Sequence, residues 1–86
     1  MPVRLVFTEN AWADYQHWQD KDRQLVKRLN KLLAEVLRDP EEGIGKPERL
    51  RHLLAGALSR RINDEHRLVY LVEGDDVIVL SVRYHY

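Results

Sequence analysis

The chain has 86 residues, with 14 basic and 14 acidic side chains, four histidines and no cysteine. This length predicts one domain spanning residues 1–86, and the lack of thiols excludes disulfides, thiolate metal sites and a cysteine nucleophile. No apolar run approaches the roughly 18 residues that a membrane span needs, and a net charge of +0 argues against binding nucleic acid by charge alone. We therefore expect a soluble, cytoplasmic protein that makes no contact with a membrane.

The first twenty residues predict a short strand followed by a helix. Apolar and other side chains alternate over residues 3–7, as they do in a strand. Thr8 is a candidate N-cap, with Phe7 before it and Trp12 after it at the spacing of a hydrophobic staple. Trp12 and Trp18 lie towards the apolar side of this helix, so we expect both in the core.

A second helix is the clearest element of the pattern. Asp22 is a candidate N-cap, and apolar residues recur at helical spacing from Leu25 to Leu37. Pro40 ends the helix. Glycines and prolines then exclude long regular structure over residues 40–57, which we expect to form an ordered loop.

Strand patterns return in the C-terminal third. Three segments, residues 58–62, 66–72 and 77–84, are separated by polar turns at 63–65 and around Gly74. They predict an antiparallel meander. The expected fold class is α+β, with two N-terminal helices packed on a small antiparallel sheet of about four strands.

The turns allow an estimate of the strand register. A hairpin centred on Gly74-Asp75 places Arg67 opposite Val82, and a turn at Asp64-Glu65 places Ile62 opposite Arg67, provided that no bulge intervenes. Both faces of the sheet are then apolar. One is expected to carry Ile62, Val69, Leu71, Ile78 and Leu80, and the other Leu68, Tyr70, Val72, Val77 and Val79. Two helices cover one face only, so the other is a candidate partner site.

The polar residues favour acid–base chemistry without a metal. Neither serine lies in a nucleophile elbow, and the histidines lack the spacing of paired metal ligands. Six basic residues stand against three acids between Lys46 and Arg67, which suggests local phosphate contact. RNA transesterification needs only a base, a cation and an acid, because the substrate's own 2′-hydroxyl is the nucleophile.

Each of these features also has an ordinary structural explanation. The arginines, including Arg60 and Arg61, fit solvated charges of an edge strand. Glu48 fits an exposed loop acid, and the chain end from Arg83 fits a frayed tail, although three aromatic or imidazole rings in four residues are unusual there. Pattern alone leaves these alternatives open.

Four segments together resemble the YoeB toxins of the RelE/ParE superfamily, and the likeness extends over essentially the whole chain. These segments are Gly45–Leu50, Ser59–Ile62, Glu65–Tyr70 and Arg83–Tyr86. The resemblance implies a RelE-like microbial RNase fold. It further implies the toxin of a type II toxin–antitoxin system: an endoribonuclease without a cofactor that cleaves mRNA in the ribosomal decoding site and inhibits translation.

The resemblance also assigns roles to residues and partners. Glu48 matches the general base, Arg67 the phosphate-stabilising cation, and His85 with Tyr86 the general acid and the adjacent tyrosine. Basic substrate contacts are expected at Lys46, Arg51 and Arg61. The implied partners are a YefM-type antitoxin and the ribosome with its mRNA, with operator DNA reached only through the antitoxin. Homodimerisation is left open.

Two questions remain at the level of sequence. Simple alternation puts His85 on the face opposite Arg67. Either a bulge occurs near the end of the strand, or the last residues leave the strand ladder and curl towards the site, and we favour the second. The alternative function on this fold is ParE-like inhibition of DNA gyrase without RNA cleavage. The carboxylate–arginine–histidine set favours the endonuclease.

Overall fold

The computed structural model describes Pro2, residues 4–50 and residues 56–84. Two helices and five strands occupy these residues. In chain order they are β1 Arg4–Phe7, α1 Glu9–Lys21, α2 Arg23–Arg38, β2 Glu48–Leu50, β3 Ala57–Arg61, β4 Arg67–Glu73 and β5 Asp76–Ser81. The strands form one sheet in the order β1-β5-β4-β3-β2.

The expected α+β class is confirmed, with a sheet that is larger and less uniform than predicted. Strand β1 lies parallel to β5, whereas the other neighbours are antiparallel. Glu48–Leu50, within the segment predicted as a loop, forms the opposite edge strand β2. The sheet is therefore mixed and has five strands instead of about four.

Side-chain caps position both helices. The hydroxyl of Thr8 accepts a hydrogen bond from the Ala11 N–H at 3.1 Å, and the carboxylate of Asp22 accepts one from the Leu25 N–H at 3.0 Å. Both caps were predicted. In the described part of the chain, neither helix is long and apolar enough to cross a bilayer.

The two tryptophans of α1 lie in different environments. Trp18 is buried as predicted, whereas Trp12 is 49% exposed, so its expected place in the core is wrong. Trp12 still contacts Phe7 edge to face, with ring centroids 6.1 Å apart, as the staple requires. It also stacks on Tyr15, and the aromatic pair covers the end of β1 from outside the core.

The β4–β5 hairpin follows the predicted register only in part. Pairing is as expected through Val79, but Leu80 is then the extra residue of a β-bulge. Arg67 consequently does not face Val82. Its main-chain N–H donates instead to the carbonyl of Tyr84, at 2.9 Å.

The pairing of β3 with β4 is shifted by one residue from the predicted register. Arg61, not Ile62, lies directly opposite Arg67. The side chain of Asn63 explains the difference, because its oxygen accepts from two following N–H groups, including that of His66 at 2.8 Å. Such a side-chain turn cannot be distinguished from a simple two-residue hairpin by composition.

The corrected registers decide which side chains face the helices. The core contains Leu58, Ile62, Leu68, Tyr70, Val77, Val79 and Val82, packed against α1 and α2. Ile62 was predicted on the face that carries Val69 and Leu71, and this prediction is wrong. The side turned away from the helices, called here the outer face, carries Glu48, Ser59, Arg61, Arg67, Val69, Leu71 and Ile78.

Arg60 is fully buried on the helix side of β3, not solvated as an edge-strand charge would be. Its Nε donates to the Tyr70 hydroxyl at 3.1 Å. Its terminal nitrogens donate to three backbone carbonyls that follow α2, those of Asp39, Glu42 and Ile44. The Tyr70 hydroxyl donates in turn to Pro40 O, and burial raises the pKa of this tyrosine. The pair therefore fixes the segment that leads towards the outer face.

Gly45 completes this connection and requires a glycine. Its φ of +86° is in the left-handed region, and an added Cβ would stand 2.7 Å from a methyl carbon of Leu32. Its carbonyl accepts from the Arg61 N–H at 2.6 Å. The chain is thus fixed against α2 and β3 immediately before Lys46.

Candidate functional site

Glu48 and Arg67 form the centre of the polar end of the outer face. Glu48 on β2 pairs with Ser59 on β3, and Arg67 reaches across from β4. The Arg67 Nη1 lies 3.3 Å from Glu48 Oε1 and 3.1 Å from Ser59 Oγ. Arg67 is 24% exposed and Glu48 57%. A solvent-accessible carboxylate therefore stands beside a partly buried, oriented guanidinium.

A second arginine shares this site. Arg61 lies directly opposite Arg67 on the outer face, and like charges in that position repel each other. Each arginine has its own carboxylate, since Arg61 bonds Asp64 while Arg67 bonds Glu48. An anion placed between the two guanidinium groups would relieve the repulsion, so the geometry suits a phosphate.

Lys46 lies at the edge of the same region in an unusual backbone conformation. Its φ is +51°, a left-handed value that residues other than glycine and asparagine rarely adopt. Lys46 lines a surface pocket of about 330 Å³ together with Arg61, Asp64 and Arg28 of α2. The predicted basic contacts Lys46 and Arg61 therefore lie close together. Arg28 lies beside them on α2, a helix that the sequence did not predict to be near the site.

The chain end approaches Arg67 by a route that simple alternation does not predict. Strand β5 ends at Ser81 instead of residue 84, and Tyr84 has a left-handed φ of +63°. The carbonyl of Tyr84 accepts from the Arg67 main-chain N–H. Both alternatives considered for the chain end have a counterpart here, since a bulge occurs at Leu80 and the strand ends at Ser81, before His85. His85 and Tyr86 themselves, like Arg51, lie outside the described residues.

The structure also separates residues that the sequence grouped. Arg60 belongs to the core and contributes nothing to the outer face. Ser59, which the sequence reading considered only as a nucleophile, is fully buried and accepts from Arg67. Its strand position opposite Glu48 could have been found only from the correct register. Among the described residues, no group of three His, Asp or Glu side chains is arranged to hold a metal ion.

The two helices on a mixed five-stranded sheet define a RelE-like toxin fold. A RelBE2 toxin–antitoxin complex from Mycobacterium tuberculosis superposes with a TM-score of 0.72 at 23% identity, covering 99% of this chain and 100% of that one. At this identity the likeness concerns the fold. The family model for the YoeB-like toxin of bacterial type II toxin–antitoxin systems matches residues 7–86. The chain belongs to this family, and the resemblance seen in the sequence is confirmed.

Individual relatives are similar over their full length. The toxin YoeB of Streptomyces coelicolor is 49% identical over 84 residues, covering 98% of this chain and 100% of the relative. A YoeB dimer from Staphylococcus aureus has a TM-score of 0.91 at 44% identity. The heterotetrameric YoeB–YefM complex from the same organism has a TM-score of 0.88 at 44% identity, and coverage is 100% of both chains in both structures.

Proposed function

We propose that this toxin is a ribosome-dependent mRNA endonuclease that cleaves in the decoding site by acid–base chemistry without a metal. The observation that carries the proposal is the Glu48–Arg67 pair, a base and a cation 3.3 Å apart on the outer face. The RNA supplies its own nucleophile, the 2′-hydroxyl. The protein therefore needs to move protons and to stabilise charge, which are the tasks these two groups suit.

In the proposed reaction, Glu48 removes the proton from the 2′-hydroxyl as its oxygen bonds to phosphorus. Arg67 stabilises the negative charge that develops on the phosphorane oxygens. His85 donates a proton to the departing 5′-oxygen, and Tyr86 orients the substrate beside it. The products are a 2′,3′-cyclic phosphate and a free 5′-hydroxyl. A general acid or base contributes about 10²–10⁴-fold, and an oriented charge donor about 10²–10³-fold.

The charge distribution supports a need for the ribosome. Lys46, Arg51 and Arg61 are proposed to contact the RNA backbone, but Arg61 and Arg67 are each paired with a carboxylate, and the chain has no net charge. Binding of free RNA by counterion release should therefore be weak and strongly salt-sensitive. Presentation of mRNA in the decoding site would supply the missing affinity, in the cytoplasm where translation occurs.

The test is primer extension on an mRNA that is being translated, with analysis of the product ends. Wild-type protein should cut within the reading frame and leave 2′,3′-cyclic or 3′-phosphate ends. Glu48→Gln, which keeps the size of the side chain but not its basicity, should lose about 10²-fold or more in rate. A chain truncated after Tyr84 should lose a comparable factor, because it lacks the proposed acid.

Three results would contradict this function. Products with a 3′-hydroxyl would indicate hydrolysis by another mechanism. Full cleavage by both Glu48→Gln and the truncated chain would remove the assigned base and acid. Inhibition of DNA gyrase supercoiling without RNA cleavage would identify the ParE-like alternative.

We further propose two protein partners, on the basis of the relatives' assemblies. Since the Staphylococcus aureus proteins form a YoeB dimer and a YoeB–YefM heterotetramer, this chain is expected to pair with itself and with a YefM-type antitoxin. The outer face is the proposed antitoxin surface, because half-buried Leu71 and Ile78 continue directly from the polar end. Operator DNA would be reached through the antitoxin.

A charge placed on the apolar end of the outer face should weaken neutralisation. Leu71→Glu should require at least about tenfold more antitoxin to stop cleavage, since an unpaired charge would be buried in the complex. Lys31→Glu, on the exposed side of α2, is the matched control and should titrate like wild type. Equal titration of both variants would place the antitoxin elsewhere. Light scattering would test the dimer, with twice the 10.2 kDa chain mass expected.

A further inference from the structure

The chain segment before His85 is held by bonds to its backbone. The Val82 N–H donates to Asp14 at 3.2 Å, and the Val82 carbonyl accepts from the indole N–H of Trp18 at 2.9 Å. Two residues later, the Tyr84 carbonyl accepts from the Arg67 N–H at 2.9 Å. Helix α1 and strand β4 therefore fix this segment, although it lies outside any strand.

His66 provides a further bond to this segment. The Tyr84 N–H donates to His66 Nδ1 at 2.8 Å. A main-chain N–H can only donate, so Nδ1 is the acceptor in this bond. His66 is buried, and its ring packs against that of Trp18 with centroids 4.5 Å apart. The indole thus holds the imidazole in the orientation that the bond requires.

This bond supports a strained conformation. Tyr84 has φ +63°, where a tyrosine side chain is disfavoured, and such strain persists only where the surroundings hold it. The bonds from His66 and Arg67 fix the peptide groups on the two sides of Tyr84. The second of these peptide groups is the one that links Tyr84 to His85. The direction in which the chain enters His85 is therefore set by two adjacent residues of β4 and the turn before it.

We propose that His66 is a positioning residue for the general acid His85, acting through the backbone of Tyr84. This inference rests on the proposed function, in which His85 protonates the departing oxygen. Arg67 has two roles in this arrangement, since its side chain stabilises the phosphorane and its main chain anchors the acid. Loss of the Nδ1 acceptor should leave Glu48 and the Arg67 side chain in place. His85 should then no longer be held where it can protonate the departing oxygen.

The test compares two replacements of His66 in the full-length chain. His66→Phe keeps an aromatic ring against Trp18 but removes the acceptor, and His66→Asn keeps an acceptor near the position of Nδ1. Single-turnover cleavage of ribosome-bound mRNA should fall about 10²-fold for His66→Phe, the lower end of what a general acid contributes. His66→Asn should recover most of the rate. His66→Leu replaces His66→Phe if the larger ring prevents folding.

A second substrate distinguishes loss of the acid's position from a general loss of folded, active protein. In an mRNA with sulfur in place of the 5′-bridging oxygen at the cleaved phosphate, the leaving thiolate needs no proton. His66→Phe and His85→Ala should therefore cleave this substrate at nearly the wild-type rate, while Arg67→Ala stays slow. The ratio of the two substrates' rates is taken on one preparation, so a partly unfolded fraction cancels. If His66→Phe slowed cleavage of both substrates equally, the proposal would be overturned.

The His85→Ala variant distinguishes failure of the positioning role from failure of the proposed function. If His85→Ala slows cleavage of the oxygen substrate and His66→Phe does not, the positioning role is wrong and the proposed function stands. If His85→Ala also cleaves the oxygen substrate at the wild-type rate, His85 is not the acid, and both the assigned mechanism and the role of His66 are overturned.

Discussion

Replacement of Arg67 by alanine is expected to slow cleavage of ribosome-bound mRNA by about 10²–10³-fold at saturating toxin. The guanidinium is oriented before substrate arrives, because its Nη1 donates to Ser59 at 3.1 Å and to Glu48 at 3.3 Å. Among the described residues, the side-chain bonds of Arg67 all come from Nη1. A preorganised cation stabilises developing charge without reorganisation, and alanine removes this effect. Single-turnover kinetics measure it.

Two controls make the Arg67 result specific. Arg67→Lys keeps the charge but not the planar set of donors, so its rate should fall between those of wild type and Arg67→Ala. Arg49→Ala removes an exposed arginine of the edge strand β2, whose side chain pairs with Glu41, and this variant should cleave nearly as fast as wild type. An Arg67→Ala rate close to that of Arg49→Ala would contradict the assigned role.

Replacement of Arg60 by leucine is expected to lower the free energy of unfolding by about 3–5 kcal/mol. The buried guanidinium donates to Tyr70 and to three backbone carbonyls, and leucine leaves all four acceptors without it. The acceptors left behind stay buried without their donor, and loss of a buried charged partner of this kind costs about 3–5 kcal/mol. This is a large share of the about 5–15 kcal/mol typical of a folded protein.

Urea unfolding followed by circular dichroism would measure the effect of Arg60→Leu. Arg4→Ala is the matched control, because Arg4 is 71% exposed and its ion pair with Asp76 lies at the surface. A surface pair contributes about 0–1 kcal/mol, so this variant should unfold almost like wild type. Equal stability of Arg60→Leu and wild type would show that the buried guanidinium is dispensable.

Local patterns predicted the elements well, and long-range register less well. The caps at Thr8 and Asp22 and the amphipathic second helix follow from short-range spacing. The bulge at Leu80 and the side-chain turn at Asn63 each shift a pairing by one residue, and neither has a distinctive composition. Because side chains alternate along a strand, a shift of one residue moves Ile62 from the face it was predicted to share with Val69 and Leu71 into the core.

The candidate site was predictable in its chemistry and only partly in its geometry. Glu48 and Arg67 were selected by residue type and by resemblance, and the structure places them together. Their link through Ser59 depends on the pairing of β2 with β3, an edge strand of three residues within a segment rich in glycine and proline. The bonds to Tyr84 from His66 and Arg67 also depend on the bulge, which the sequence suggested only as one of two alternatives and did not locate at Leu80.

Substitutions of the two adjacent arginines on β3 are expected to have different effects. Arg61 points to the outer face and Arg60 into the core, so the same kind of substitution at neighbouring codons removes either a surface cation or the anchor of the fold. Under the proposed function, a substitution at Arg61 is expected to weaken the contact with RNA while the protein stays folded. A substitution at Arg60 is expected to destabilise the fold itself. Mutants selected for loss of toxicity would therefore contain folded protein in the first case and much less of it in the second.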